Sequence, residues 1–170
     1  MPKTWLIAVP AGRWQLAGIQ RAQDLGLSVL AIDQDPSAPG FQLAEKHSVV
    51  NINHEADVLR TIEEHQITPS AAVSIASEAG MAAVGAINSI YSLNGPNHET
   101  TIQLTDKSRQ RARWDAADLP NPMWKVCRNH HEAERAVLDI TPPLIIKPSQ
   151  GAGSRAVSRI EDPGRLDNGA

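Results

Sequence analysis

Apolar positions along the chain fall into short unbroken runs separated by stretches of helical spacing. Trp5, Leu6, Ile7, Ala8 and Val9 form the first run, and residues 28–32, closed by Asp33, form the second. Unbroken runs of this length suit parallel strands buried on both faces. Between them Leu16, Ala17, Ile19, Ala22 and Leu25 recur at helical spacing, and Gly26 follows as a stop signal, which predicts a helix over 14–25. Strand, helix, strand in this order is a parallel unit. Residues 33–40 are a loop by composition, with one helical turn expected over 41–46. A third strand is expected over 47–52. An amphipathic helix is expected over 54–66, with Ala56, Leu59, Ile62 and His65 along one side and Asn53 as its cap. A fourth strand over 71–76 and a helix over 81–91 complete this alternation.

The pattern then changes. Asn94-Gly95-Pro96-Asn97 is a turn and marks a boundary. A short helix over 98–104 and a basic helix over 107–117 follow, the latter with Trp114 and Ala117 expected to turn inward. Residues 123–127 are a candidate strand, and Asn129 is placed to cap a further helix. A strand ends near Lys147, another runs over 156–160, and residues 161–170 read as the start of one more helix.

Composition narrows the classes. The chain has 170 residues, 41% hydrophobic and 21% charged, which suits a folded globular chain rather than a disordered one. The formal net charge of −3 implies no general affinity for nucleic acid, and the basic helix is too small a patch to change that. No apolar run approaches membrane-spanning length, and no signal-peptide pattern opens the chain, so the expected location is cytoplasmic and no membrane partner is expected. The lone Cys127 excludes an internal disulfide. His47, His54 and His65 share no metal-ligand spacing, and the Asp33–Asp35 pair has no third ligand, so no metal site is expected within the chain.

The candidate chemistry sits on loops. Pro143-Leu144-Ile145-Ile146-Lys147-Pro148 is an apolar strand ending in a lysine, and Ser149-Gln150-Gly151-Ala152-Gly153-Ser154 is a small-residue loop. Gly151 and Gly153 accept positive φ, so backbone N–H groups can converge on one point, where Lys147 adds a charge. A polyphosphate fits such a nest; a tight hairpin with a chance lysine is the alternative. The lysine precedes the glycines, which excludes a Walker A loop. After the first strand, Gly12 and Arg13 occupy the turn at the carboxyl end of the sheet, where ligands bind in such folds. Arg13, placed at a helix start, suits an anionic substrate group, or else is a solvated arginine. The turn lacks Gly-x-Gly-x-x-Gly, which disfavours an NAD(P)-dependent oxidoreductase even though Asp33 stands where a ribose-binding acid would. Glu78, just after the fourth strand, is a ligand candidate, or else supports a helix start capped by Ser77.

Two passages in order give a resemblance. Lys147 to Ser154 resembles the loop of the ATP-grasp superfamily that covers nucleotide phosphates. Thr105-Asp106-Lys107-Ser108-Arg109 with Leu119-Pro120-Asn121-Pro122 resembles the passage that precedes it in those ligases. Asp33, Ala38-Pro39, Ala44 and His47-Ser48-Val49 resemble the pre-ATP-grasp domain of purine-pathway and related carboxylate ligases. The resemblance implies an α/β fold: a Rossmann-like parallel-sheet domain over 1–104 and the first part of an ATP-grasp domain over 105–170. It implies that Lys107 and Lys147 contact ATP phosphates, that Gly151, Gly153 and Ser154 form a mobile cover, and that Glu78 lies near a substrate. It further implies ATP-dependent ligation, in which a small carboxylate is activated as an acyl phosphate for attack by an amine-type nucleophile. Magnesium ligands are expected in a C-terminal half that this stretch does not contain, so no catalytic cluster is expected to be complete here. The family is compatible with a homodimer. A non-catalytic nucleotide-binding module, or one part of a split enzyme, is the alternative. Ala156 departs from the family, which often has glycine there.

Overall fold

The computed structural model describes residues 3–162. The expected helix start over 161–170 therefore lies, from residue 163 onward, outside the described residues. The chain divides into two compact units between Thr105 and Asp106.

The first unit is built on a parallel sheet of β1 (Trp5–Ala8), β2 (Ser28–Asp33), β3 (Lys46–Val49) and β4 (Pro69–Val73) in the order β3-β2-β1-β4. The apolar runs of β1 and β2 are explained by their central places, since side chains alternate between two covered faces. On one face Trp5, Ile7, Val9, Leu30 and Ile32 pack with Val58 and Ile62 of α2 (Glu55–Glu64) and with Ala83, Val84 and Ile87 of α3 (Met81–Ile90). On the other, Leu6, Ala8, Val29 and Ala31 pack with Ile19 and Ala22 of α1 (Leu16–Asp24). Ile7, Ile19, Leu30, Ile32, Ile62 and Ile87 are fully buried, each contributing about 1.5–3 kcal/mol over its exposed state. α4 (His98–Thr105) packs closely on α3, where a Cβ on Gly85 would overlap Thr101.

Several sequence expectations change. Ala17 and Leu25 are exposed; α1 begins two residues later than expected, and the residues it buries are Ile19 and Ala22. Ile62 is buried and Leu59 packs partly on the core as expected, but Ala56 is exposed, and α2 also buries Val58 and Thr61. Asn53 does not cap α2: the N-cap is His54, and the Asn53 N–H donates to the side chain of Asn51. β3 and β4 begin one and two residues earlier than expected.

The second unit holds α5 (Lys107–Ala116), α6 (His130–Asp139) and an antiparallel pair, β5 (Leu144–Ile146) with β6 (Ser158–Ile160). Asp106 caps α5 by accepting from the N–H groups of Ser108 and Arg109, and Asn129 caps α6 by accepting from Glu132. α5 buries no residue, so the expected inward turn of Trp114 and Ala117 is not found; the Arg111 guanidinium lies 4.9 Å over the Trp114 ring instead. Residues 123–127 form no strand. Asn121 accepts from Arg111 at 2.6 Å and donates to Asp115 at 2.7 Å, and the Trp124 indole also donates to Asp115 at 2.7 Å. Those ties hold the segment along α5 in place of strand pairing.

Candidate functional site

In the second unit the structure joins two passages that are far apart in sequence. The Lys107 N–H donates to the Ser149 carbonyl at 2.8 Å, and the Lys107 ammonium donates to the Gly151 carbonyl at 2.6 Å. Asp106 and Gln150 form an isolated antiparallel bridge, with the Gln150 amide donating to Asp106 at 3.4 Å. The capping aspartate thus serves α5 with one oxygen and reaches the loop with the other. Burial pushes its pKa upward, but the hydrogen bonds from Ser108, Arg109 and Gln150 outweigh it and hold the carboxyl below its usual range.

The loop itself has an uncommon backbone. Gly151 and Gly153 sit at φ +100° and +74°, and Ser154 and Ala156 at 55° and 53°. Left-handed residues interspersed in a short loop reorient successive N–H groups, which is how backbone anion nests arise. A Cβ on Gly151 or Gly153 would meet nothing within 4 Å, so φ rather than crowding calls for glycine there. Lys147 follows β5 directly. It is exposed and makes no hydrogen bond or ion pair among the described residues, so its charge is available to a ligand. The arrangement offers two ammonium groups and a glycine loop of left-handed residues within one unit, a set of donors and charges suited to phosphate oxygens.

Gly12, Arg13 and Glu78 belong to the first unit. Its strand order makes the carboxyl ends of β1 and β4 a topological switch point: the chain leaves β1 for β2 on one side and arrives at β4 on the other. The loop after β1 carries Gly12 and Arg13, and the loop after β4 carries Glu78. The Val9 N–H donates to the Val73 carbonyl at 3.0 Å, and the Gln15 amide donates to the Ile75 carbonyl. Gln15 is only 4% exposed, and sequence reasoning missed it. Its one signal is a long polar side chain on a turn that enters an otherwise apolar helix face.

Three expectations shift at this site. Arg13 stands on a 3-10 turn, Arg13–Gln15, that leads into α1 at Leu16, so the arginine precedes the first α-helical turn rather than lying on it. Ser77 does not cap α3. The N-cap is Gly80 at φ 83°, and a Cβ there would lie 2.7 Å from Val9 Cγ1. Ser77 and Ala79 instead offer their carbonyls to the Ser74 hydroxyl. Asp33 is 7% exposed; one oxygen accepts from the Ala11 N–H at 2.8 Å and the other from the Asp35 N–H at 3.0 Å. It fastens the β1 loop to the end of β2, so the acid that an NAD(P) reading needs is engaged by backbone.

No family model matches the chain. It is 27% identical to the uncharacterized protein y4rH of Sinorhizobium fredii over 147 residues, covering 85% of this chain and 31% of that protein. It is 26% identical to the formate-dependent phosphoribosylglycinamide formyltransferase of Pseudomonas fluorescens, covering 82% of this chain and 36% of that protein. Among solved structures, the N5-carboxyaminoimidazole synthetase of Staphylococcus aureus complexed with ADP superposes with a TM-score of 0.75 at 14% identity, covering 97% of this chain and 44% of that one. The fold is that of ATP-grasp ligases, and the likeness is to an N-terminal portion of them. The chain spans about a third of the curated relatives' length.

Proposed function

We propose that this chain is the N-terminal portion of an ATP-dependent ligase that activates a small carboxylate for attack by an amine-type nucleophile. The first unit is the pre-ATP-grasp domain and the second is the opening part of the ATP-grasp domain. The observation that carries this reading is the pairing of Lys107 with the 149–151 loop, which assembles the two lysine-bearing passages of the resemblance into one unit. Lys107, Lys147, Gly151, Gly153 and Ser154 hold the nucleotide phosphates. The nucleotide supplies the phosphoryl group that turns a carboxylate oxygen into a leaving group. The two ammonium groups stabilise negative charge on the phosphate oxygens, and the loop N–H groups orient them. Gly12, Arg13 and Glu78 hold the substrate at the switch point. The Pseudomonas fluorescens relative's name pairs a carboxylate, formate, with phosphoribosylglycinamide, which agrees with this reaction class.

Among the described residues no group of three or more His, Cys, Asp or Glu side chains is arranged to hold a metal ion. No step is therefore assigned to magnesium within this chain; its ligands belong to the remainder of the ligase. Among the described residues no helix is long and apolar enough to cross a membrane. A cytoplasmic location and a homodimer complete the proposal, the latter checked by sedimentation.

Calorimetric titration with MgADP tests the phosphate site. Lys147→Ala is expected to weaken binding at least tenfold, the scale of a charge-assisted hydrogen bond at about 1.5–3 kcal/mol. Unchanged affinity in that variant overturns the phosphate role.

A further inference from the structure

Trp14 is 80% exposed, and nothing in either hydrophobic cluster of the first unit uses it. Tryptophan carries the largest apolar surface of any side chain, and leaving it in water gains the fold nothing. Trp5, in the same unit, is 9% exposed. Trp14 lies between Arg13 and the buried Gln15 on the turn that follows β1, at the switch point where open parallel sheets bind ligands. Gln15 anchors that turn to the loop after β4 through the Ile75 carbonyl, so the position of Trp14 is set by the fold while its ring stays free. Arg13, Trp14 and Glu78 are exposed, and their side chains make no hydrogen bond, ion pair or ring contact among the described residues.

The chemistry of these three side chains is complementary to one kind of molecule. A guanidinium takes a carboxylate, a carboxylate takes an ammonium, and an indole face takes a ring or a broad apolar group. We infer that the switch-point site takes a zwitterionic amino acid with an aromatic side chain, with Trp14 as the residue that sets the preference for the ring. This deepens the ligase reading and rests on its placement of the substrate at Gly12, Arg13 and Glu78. An amino acid carries both groups that the proposed reaction class consumes, a carboxylate and an amine.

The test is a panel of ligands titrated against the chain and each variant by calorimetry, with the Trp14 indole N–H resonance, assigned by its loss in Trp14→Ala, followed in parallel wherever Trp14 is present. The panel is L-phenylalanine, L-alanine, 3-phenylpropionate, phenethylamine and ribose 5-phosphate. Phenylalanine is expected to bind roughly tenfold more tightly than alanine, the scale of one aromatic contact. The two ligands that each lack one charged group should bind more weakly than phenylalanine. Trp14→Ala is expected to erase the preference for phenylalanine over alanine, and Trp14→Phe to restore most of it. Arg13→Gln and Glu78→Gln should remove the penalties for the missing carboxylate and the missing ammonium respectively. Tighter binding of ribose 5-phosphate than of phenylalanine overturns the inference, as does a ranking that Trp14→Ala leaves intact, or no binding of any member of the panel. MgADP titrated in parallel separates the two readings. ADP binding that needs Lys147, without the phenylalanine ranking, sinks the amino-acid inference and leaves the ligase reading standing. The phenylalanine ranking without ADP binding does the reverse.

Discussion

The Lys107 ammonium donates to the Gly151 carbonyl at 2.6 Å across 44 positions of sequence. The contact makes the lysine a tether for the loop as well as a charge beside it. Lys107→Met keeps the aliphatic stem and removes the donor. A tether of this exposed kind is worth about 0.5–1.5 kcal/mol. Amides of the 149–153 segment should therefore exchange up to about tenfold faster in Lys107→Met, with protection in the first unit unchanged. Lys147→Met should leave loop exchange at the wild-type rate, because that side chain makes no hydrogen bond among the described residues. Equal exchange in the two variants would show that the Lys107 contact does not order the loop.

Gly80 and Gly151 both have positive φ, at 83° and 100°, yet they answer to different constraints. At Gly80 an added Cβ would lie 2.7 Å from Val9 Cγ1 and 3.2 Å from the Val9 carbonyl oxygen; at Gly151 it would meet nothing within 4 Å. Gly151→Ala should cost only the left-handed penalty of about 1–2 kcal/mol, confined to the loop. Gly80→Ala adds overpacking against β1 and should cost about 2–5 kcal/mol. Hydrogen exchange at β1 and β4 amides separates the two, with a large loss of protection expected for Gly80→Ala alone. Ala156 at φ 53° gives the complementary case, a left-handed position held by a residue other than glycine.

How much of this was legible in the sequence depends on whether the cause was local. β1 and β2 were legible because central parallel strands are apolar on both faces, and the cap at Asn129 because Asn at a helix start has a local partner in the Glu132 N–H. The glycine loop was legible because φ is a property of the residue itself. The failures are tertiary. Residues 123–127 are a mostly apolar run that reads as a strand, but Asp115, a residue of α5, takes the Trp124 indole, and Met123 and Val126 stay 69% and 47% exposed. Ser77 followed by Glu78 looks like a helix cap, but the close approach of Gly80 to Val9 sets the start of α3. Gln15 is a local irregularity whose partner, Ile75, is 60 residues away. The Lys107–loop pairing is equally remote, and only the resemblance pointed toward it.

Asp33 supplies a prediction about the frame of the switch point. Its two oxygens hold the Ala11 and Asp35 N–H groups at 2.8 and 3.0 Å. Asp33→Ala leaves the buried Ala11 N–H unpaired, at a cost of roughly 1–3 kcal/mol, while the Asp35 N–H on the exposed loop can turn to water, so a loss of about 1–3 kcal/mol is expected in urea unfolding of the first unit. Asp33→Asn retains one acceptor and should fall between wild type and Asp33→Ala. NADH fluorescence should not change on mixing with the wild-type chain. An Asp33→Ala variant as stable as wild type would return this carboxylate to the pool of ligand candidates.

The last prediction concerns His65, which follows α2 at its carboxyl end. Its Nε2 lies 2.7 Å from the Ser48 hydroxyl of β3, and its carbonyl accepts from the Lys46 ammonium at 3.2 Å. Burial lowers the imidazole pKa below its ordinary 6.5, and the Lys46 charge lowers it further, against a smaller opposing effect from Glu64. A histidine whose folded pKa is depressed binds fewer protons folded than unfolded at mildly acidic pH. Its contribution to stability is therefore fully present above about pH 6.5 and is lost as pH falls through the folded value. Melting temperatures at pH 7.5 and 5.5 should show a larger acid-induced drop for wild type than for His65→Gln, whose amide can keep a hydrogen bond to Ser48. The difference between the two proteins isolates His65 from the other titrating groups. An imidazole that titrates by NMR at or above its ordinary value, or a variant with an equal acid-induced drop, would mean that β3 and the end of α2 do not hold this ring in its neutral form.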